Sequence, residues 1–149
     1  NNFNKEMLFN ELNELGKNLI IKTLPKYFNN TINLQVQEEN ETSYANKITS
    51  NNTKIDFFKS SIEIYNLIRA FSPKPGAWFF FQNERFKIIE CKTKKCETES
   101  SKIINAKLHI GCKDGIIIPT IVQREGKNPM KIDEFLRGFK FKIGQKINA

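Results

Sequence analysis

The sequence predicts a mainly β domain with flanking helices, a small barrel that follows a linker and an N-terminal amphipathic helix. Three observations support this prediction. Leucines recur at helical spacing before residue 25, polar residues dominate positions 29–52, and short apolar segments alternate with turn residues after position 76. The length of 149 residues and the 39% hydrophobic content suit one folded domain with a core. No segment approaches the run of about 18 apolar residues that a transmembrane helix needs, so no membrane span is predicted.

The first predicted element is a helix over residues 5–24. Its apolar stripe has a 4-3-4 spacing, which places the stripe on one helical face. Pro25 is expected to end the helix, because proline lacks the backbone donor that a continuing helix needs. Little in residues 26–54 could cover the stripe, so its partner surface is expected upstream of this chain, which begins without an initiator Met or a signal peptide. The stripe consists of Leu8, Leu12, Leu15 and Leu19.

A linker and a second helix come next. The stretch from Asn29 to Asn52 has the polar composition of an extended linker. A helix is predicted to start at Ser60, because Ser60 and Glu63 have the spacing of a capping box. The proline-rich stretch 72–76 is expected to stop this helix.

Strands dominate the rest of the chain. Ala77–Phe81 and Phe86–Cys91 flank a polar turn and predict a hairpin, whereas residues 92–102 are predicted to be a charged loop. Asp114-Gly115 predicts another turn. The remaining predicted elements are strand Ile103–Ile110, strand Ile116–Val122 with an edge or a bulge at Pro119, a helix that starts at Asn128-Pro129, runs to Arg137 and is stopped by Gly138, and strand Phe139–Ile143.

The charge of the chain is uneven. The formal net charge is +8. Residues 1–54 hold six Lys and six Glu, whereas residues 55–149 hold 18 Lys and Arg against 10 Asp and Glu, so the whole excess lies in the second part. This asymmetry indicates a polyanionic partner for that part. The alternative is a solvated surface that reflects the lysine-rich codon usage of an AT-rich genome.

The polar residues offer no self-sufficient catalytic constellation. His109 lies in an apolar pattern and is interpreted as a packed or surface residue instead of a general base. Cys91, Cys96 and Cys112 lack the paired spacings of a zinc site, and their odd number indicates a reducing compartment. Glycine-rich phosphate-binding motifs are missing. The sequence therefore predicts no catalytic residue, no metal site and no cofactor site in this chain.

Five aromatic residues mark the predicted hairpin. Strand alternation places Trp78 and Phe80 on one face and Phe79 and Phe81 on the other, and Phe86 follows after the turn. A small barrel must fill its interior, so these residues are interpreted mainly as core. Exposed aromatics on such a strand could instead stack on nucleic-acid bases.

Several short motifs occur together in one order along the chain. In order and spacing they resemble the C-terminal portion of the methionyl-tRNA formyltransferase family, from about Leu8 onward. Phe57 stands where that family usually has Trp. The motifs are Tyr44-Ala45-Asn46-Lys47-Ile48, Ile55-Asp56-Phe57, Ile68-Arg69-Ala70-Phe71 followed by Pro73, Pro75, Gly76 and Ala77, then Asp114-Gly115, Gly126-Lys127 with Met130, and Phe135-Leu136-Arg137-Gly138.

The resemblance implies a division of the chain into three parts. Residues 1–28 would be the last helix of an otherwise missing catalytic domain, residues 29–56 an extended linker, and residues 57–149 a C-terminal domain with an OB-like Greek-key barrel. In that family an upstream domain binds 10-formyltetrahydrofolate and carries the catalytic Asn, His and Asp. Those motifs are missing from this sequence, so the chain alone is expected to be inactive and to bind no cofactor.

The resemblance also implies the partners: initiator Met-tRNA and the upstream catalytic domain. The protein is expected to be a monomer in a bacterial cytoplasm or an organellar matrix, without a membrane contact. Two alternatives stay open: the tail of a sugar-nucleotide or other folate-dependent formyltransferase, and a barrel that only braces the catalytic domain. The residues expected to contact tRNA are Lys47, Lys127, Arg137, Lys140 and Lys142, with Lys94 and Lys95 as outer steering charges.

Overall fold

A five-stranded antiparallel sheet and three helices make up the fold of the chain in a computed structural model, which describes residues 3–147. The predicted class, mainly antiparallel sheet with flanking helices, is confirmed. The elements are α1 (Lys5–Phe28), α2 (Ser61–Phe71), β1 (Ala77–Phe81), β2 (Glu84–Lys95), β3 (Ile110–Cys112), β4 (Gly115–Arg124), β5 (Met130–Lys131) and α3 (Ile132–Gly138). Strand order is β1-β2-β4-β3, and β5 pairs with β4.

The sheet is open between its two ends. Within residues 3–147, no strand ladder joins β1 to β3, so a closed OB-like barrel stays a prediction. The bulge expected at Pro119 is confirmed, because the β2–β4 register shifts on both sides of Glu90, next to the pair Cys91–Pro119.

The predicted hairpin is confirmed, and its second strand is longer than expected. Gln82 and Asn83 connect β1 to β2 with φ angles of 50° and 63°, as a tight two-residue turn requires. The predicted loop 92–102 is wrong at its start, because β2 continues through Lys95. Residues 92–95 pair with residues 115–118 of β4, and this ladder outweighs their polar composition.

The predicted strand Ile103–Ile110 is wrong. Ile103 pairs back onto Ile110, and the chain reverses between them. The Asn105 side chain accepts hydrogen bonds from the backbone N–H groups of Lys107 (3.0 Å) and His109 (3.2 Å), which stabilises the reversal. An asparagine that bonds to its own backbone therefore overrides the apolar pattern.

Two predictions for the C-terminal region are also wrong. The helix does not start at Asn128-Pro129: Met130 and Lys131 pair with β4, and Lys131 is the N-cap of α3. The helix ends at Gly138, one residue after the predicted last residue, Arg137. Residues 139–143 form no strand. Phe139 and Phe141 pack instead against the aromatic core, with their ring centroids 4.9 Å apart.

The core lies on one face of the hairpin. Phe79, Phe81 and Phe86 are each 1% exposed, which confirms their interpretation as core. On the opposite face, Trp78 is 6% exposed and Phe80 is 40% exposed. The other rings of the core, which α3 and the following segment supply, are Phe135, Phe139 and Phe141.

Helix α2 has the predicted start. The Ser60 hydroxyl accepts the Glu63 backbone N–H, and the Glu63 carboxylate accepts the Ser60 backbone N–H. Asp114, in the turn before β4, accepts the Ser61 backbone N–H at 2.6 Å and so ties this helix to the sheet.

Gly111, in β3, lies so close to the backbone of Glu99 that a Cβ there would collide with the Glu99 carbonyl oxygen.

Helix α1 lies outside the core. It extends to Phe28, so the expectation that Pro25 ends it is wrong; the Pro25 carbonyl still accepts the Asn29 N–H at 3.1 Å. No residue of α1 is buried, and the burial of its leucine stripe stays a prediction.

Within residues 3–147, no helix combines the length and apolarity needed to cross a bilayer. Residues 29–49 contain one short 3-10 turn, Glu39–Glu41.

Candidate nucleic-acid interface

Four side chains share the outer face of the β1–β2 hairpin. Phe80 pairs with Arg85, and Trp78 pairs with Lys87, across the two strands. Their neighbours along the strands point into the core, so strand alternation places these four on the opposite side. We call Trp78, Phe80, Arg85 and Lys87 the outer platform.

Arg85 is held in a fixed position on this platform. Its guanidinium carbon lies 4.0 Å from the centre of the Trp78 ring, a cation–π contact. Its Nη2 donates to the Ser50 hydroxyl at 2.5 Å, and the Trp78 indole N–H donates to the Ser50 carbonyl at 3.0 Å. Arg85 Nε is shielded from solvent and makes no hydrogen bond within residues 3–147. The side chain is thus ordered, and one of its donors has no acceptor.

Three clefts follow one another across this surface. The first, about 260 Å³, lies between residues 48–53 and the platform; the second, about 220 Å³, lies between the platform and β4. Both are lined by Arg85 and Lys87. The third, about 330 Å³, shares Arg124 with the second and adds Lys127. We call these three the basic clefts. Arg85 and Lys87 connect the first cleft to the second, and Arg124 connects the second to the third, so the three clefts adjoin on one surface. Two carboxylates, Glu125 and Glu134, line the second and third clefts beside the cations.

Arg124 is partly neutralised by an acidic neighbour. It donates two hydrogen bonds to the Glu84 carboxylate, at 2.8 and 2.5 Å. The hydrogen bond from Arg124 lowers the pKa of Glu84, and the carboxylate raises the pKa of Arg124 in return. Arg124 therefore adds less free positive charge to the basic clefts than Arg85 or Lys87.

The turn after β4 is anchored to the hairpin. The Glu125 backbone N–H donates to the Arg85 carbonyl at 3.1 Å. The Gln123 amide donates to the Lys127 carbonyl at 2.7 Å. These bonds hold exposed Lys127 at the rim of the third cleft.

The structure groups some of the predicted contact residues and separates others. Lys127 lines the third cleft, and exposed Arg137 and Lys140 flank two residues that line the same cleft, Gly138 and Phe139. Lys47 precedes Ile48 of the first cleft, and Lys142 lies exposed after the aromatic core residue Phe141.

Lys94 and Lys95 lie apart from that group. The sequence predicts a loop at these two residues, whereas in the structure they lie at the far end of β2. Nine positions separate Lys94 from Arg85, or roughly 30 Å along a strand.

Sequence reasoning missed Arg85 and Lys87. Both are intermediate in exposure and belong to the pattern Arg85-Phe86-Lys87-Ile88, in which cations alternate with core residues. That alternation was the available signal. Combined with the hairpin register, it places the two cations beside Trp78 and Phe80.

The thiols of Cys91 and Cys112 and the imidazole of His109 lie in buried or partly buried surroundings. Burial is the main cause that raises the pKa of the Cys91 thiol to about 12. Burial and the nearby Lys107 lower the pKa of half-buried His109. Cys112 is buried and donates to the Gly115 carbonyl at 3.0 Å. Among residues 3–147, no three His, Cys, Asp or Glu side chains converge as metal ligands would.

Comparisons with known proteins agree with the motifs. A family described as "Formyl transferase, C-terminal domain" matches residues 47–140. The methionyl-tRNA formyltransferase of Wolbachia sp. subsp. Drosophila simulans is 34% identical over 98% of this chain and 47% of its own length. That of Rhizorhabdus wittichii is 40% identical over 75% of this chain and 37% of its own length. The chain therefore spans less than half the length of these curated relatives.

Solved structures give the same fold. A variant of HypX from Aquifex aeolicus matches 100% of this chain and 30% of its own, with a TM-score of 0.70 and 14% identity. HypX in complex with tetrahydrofolic acid matches 87% of this chain and 26% of its own, with a TM-score of 0.60 and 14% identity. The resemblance to methionyl-tRNA formyltransferases seen in the motifs is confirmed, and the chain belongs to the formyl transferase C-terminal domain family.

Proposed function

We propose that this chain is the tRNA-binding C-terminal part of a methionyl-tRNA formyltransferase, the enzyme that formylates initiator Met-tRNA with 10-formyltetrahydrofolate. The observation that carries the proposal is the grouping of Arg85, Lys87, Arg124 and Lys127 along the three adjoining basic clefts. Family membership supplies the enzyme class, and the basic surface supplies a role for this part of it. We further propose that the protein is a monomer and that it is located in the cytoplasm or an organellar matrix.

The proposed interaction depends mainly on electrostatic attraction between cationic side chains and the phosphates of the tRNA. A tRNA stem presents phosphates and 2′-hydroxyl groups, and its deep major groove hides the base edges from side chains. A basic surface with ordered cations can follow the phosphates without reading the sequence. The surplus of +8 in residues 55–149 fits such a partner better than a neutral substrate.

We also propose that the sheet is the core of an OB-like barrel. Isolated bridges extend the sheet at both ends: Lys54 pairs with Trp78 beside β1, and Ile103 pairs with Ile110 beside β3. Both extensions contribute to one core, which contains Ile55 and Ile103. A sheet whose two ends contribute to one core supports the OB-like assignment.

The formyl donor is assigned to the upstream part of the complete enzyme. The polar side chains that line the three clefts are four cations, two carboxylates and four hydroxyl or amide groups. The assignment of the donor to the upstream part rests on the family resemblance. We expect the chain by itself to transfer no formyl group.

The test is the salt dependence of tRNA binding by the 149-residue chain. If about five phosphates are neutralised, log K should fall with log[NaCl] at a slope of roughly −3.5 to −4.5. Fluorescence anisotropy with labelled initiator tRNA measures this slope. A slope near zero would remove the proposal, and displacement of tRNA by a nucleotide sugar would favour the sugar-nucleotide formyltransferases instead.

A charge-reversal pair locates the surface. Lys140→Glu combined with Lys142→Glu should weaken tRNA binding, because both residues are exposed and follow the third cleft along the chain. The matched control is Lys107→Glu, an exposed residue in the reversal next to β3, at the other end of the sheet from β1. Equal affinity of all three proteins would show that the C-terminal lysines are only solvated.

A further inference from the structure

We infer that the outer platform is a nucleotide-binding subsite, in which Arg85 and Lys87 hold a phosphate of RNA and Phe80 stacks on an unpaired base. The inference rests on the proposed function, since RNA is the ligand. It goes further by assigning a base contact to Phe80, which a purely electrostatic account does not need. Cations along a backbone track combined with an accessible aromatic ring are the usual elements of single-strand recognition.

Phe80 supplies the stacking surface. It is 40% exposed, although its strand neighbours Phe79 and Phe81 are 1% exposed. The Trp78 ring meets it edge-on, with a centroid distance of 5.0 Å and an interplanar angle of 76°. This contact fixes the orientation of the Phe80 ring and still leaves part of it open to solvent. A base can use that part without any rearrangement of the core.

Arg85 supplies the phosphate contact. The Trp78 ring and the Ser50 hydroxyl order its guanidinium before any ligand arrives, which lowers the entropic cost of binding. Because Arg85 and Lys87 form the wall between the first and second clefts, a phosphate in either cleft meets two cations.

The subsite also includes the segment before α2. Ser50 accepts hydrogen bonds from both Arg85 and Trp78, and the Ile55 backbone N–H donates to the Trp78 carbonyl at 2.7 Å, so this segment is attached to the platform at two points. Lys54 adds a third cation, with its Nζ 6.0 Å from the centre of the Trp78 ring. RNA bound at the platform would therefore contact the linker and the sheet together.

The experiment separates the stacking contact from the charge contact. We would measure tRNA affinity and its salt slope for the 149-residue chain with Phe80→Ala, Phe80→Leu and Arg85→Ala. Phe80→Ala should weaken binding at least about fivefold without changing the slope, because base stacking releases no counterion. Phe80→Leu keeps an apolar side chain and should weaken binding similarly. Arg85→Ala should weaken binding and reduce the magnitude of the slope by about 1.

Two controls match these variants. Phe58→Ala removes another exposed phenylalanine, 61% exposed and outside the platform, and should leave affinity unchanged. Lys107→Ala removes a cation at the other end of the sheet and should leave both affinity and slope nearly unchanged. Thermal unfolding of each variant verifies that it is folded.

Trp78 gives an independent readout, because it is the only tryptophan of the chain. Its fluorescence should change on titration with a pentauridylate probe, and Arg85→Ala should diminish that change. If the wild-type chain binds tRNA with the expected slope while Phe80→Ala, Phe80→Leu and Arg85→Ala match it and Trp78 is silent, the subsite is refuted and the proposed function stands. If the wild-type chain binds no tRNA, both fall.

Discussion

Replacing Phe86 by alanine tests whether the aromatic core holds the hairpin in place. Phe86 is 1% exposed and lies on β2 between the platform cations Arg85 and Lys87. Its removal would therefore act on the core and on the candidate interface at once. The ring centroids around it are those of Phe79 at 5.9 Å, Phe81 at 6.4 Å, Phe135 at 6.0 Å, Phe139 at 5.3 Å and Phe141 at 6.1 Å.

The expected loss of unfolding free energy has two parts. Returning the buried Phe86 ring to water costs about 2 kcal/mol. A residual cavity of ~100 Å³, at about 24 cal/mol per Å³, adds about 2.4 kcal/mol if the five surrounding rings do not collapse into it. The sum of about 4 kcal/mol is a large share of the 5–15 kcal/mol that holds a typical domain together.

Urea unfolding followed by circular dichroism measures this loss. With an m value of about 2 kcal/mol/M, the midpoint should fall by about 2 M. Phe58→Ala is the control, because a side chain that is 61% exposed should cost less than about 1 kcal/mol. A loss below about 1 kcal/mol for Phe86→Ala would show that these rings do not form a packed core.

Three further predictions concern single residues. Gly111→Ala should cost at least about 2 kcal/mol of unfolding free energy in urea, because its Cβ would strike a backbone carbonyl. Gly16→Ala has open space around it and should raise the helix content of α1 by an amount worth up to about 1 kcal/mol. Equal effects of the two substitutions would contradict this prediction. Iodoacetamide at pH 8 should modify exposed Cys96 and spare Cys91, whose pKa is about 12, until the chain unfolds, as mass spectrometry of the labelled peptides would show; equal labelling rates would contradict this. A backbone hydrogen bond lowers the pKa of Asp114 from 3.8, so its stabilisation is present above that value and is lost as the pH falls through its folded pKa; Asp114→Asn should flatten this decline in urea midpoints, and an unchanged pH profile would refute it.

Local signals in the sequence were sufficient for several elements. The capping box at Ser60 and Glu63 places the start of α2, because both hydrogen bonds are made within four residues. The hairpin of β1 and β2 follows from alternation and a polar turn. The family also follows from the sequence, because its motifs keep their order and spacing.

Tertiary pairing decided where local patterns misled. Residues 92–95 look like a charged loop by themselves, yet their backbone groups complete a ladder with β4. Met130 and Lys131 likewise pair with β4, which moves the start of α3 past Asn128-Pro129. Hydrogen bonds between distant segments are invisible to a local window, and they outweigh local composition when both partners are present.

The candidate interface likewise depends partly on local sequence and partly on tertiary pairing. The concentration of positive charge in residues 55–149 and the family resemblance can both be read from the sequence alone. Which cations share a surface depends on the folded chain. The fold connects Arg85 and Lys87 to Lys127 through the basic clefts and leaves Lys94 at the far end of β2. Composition fixes how much charge a chain carries, whereas strand register and alternation fix the face on which each charge lies.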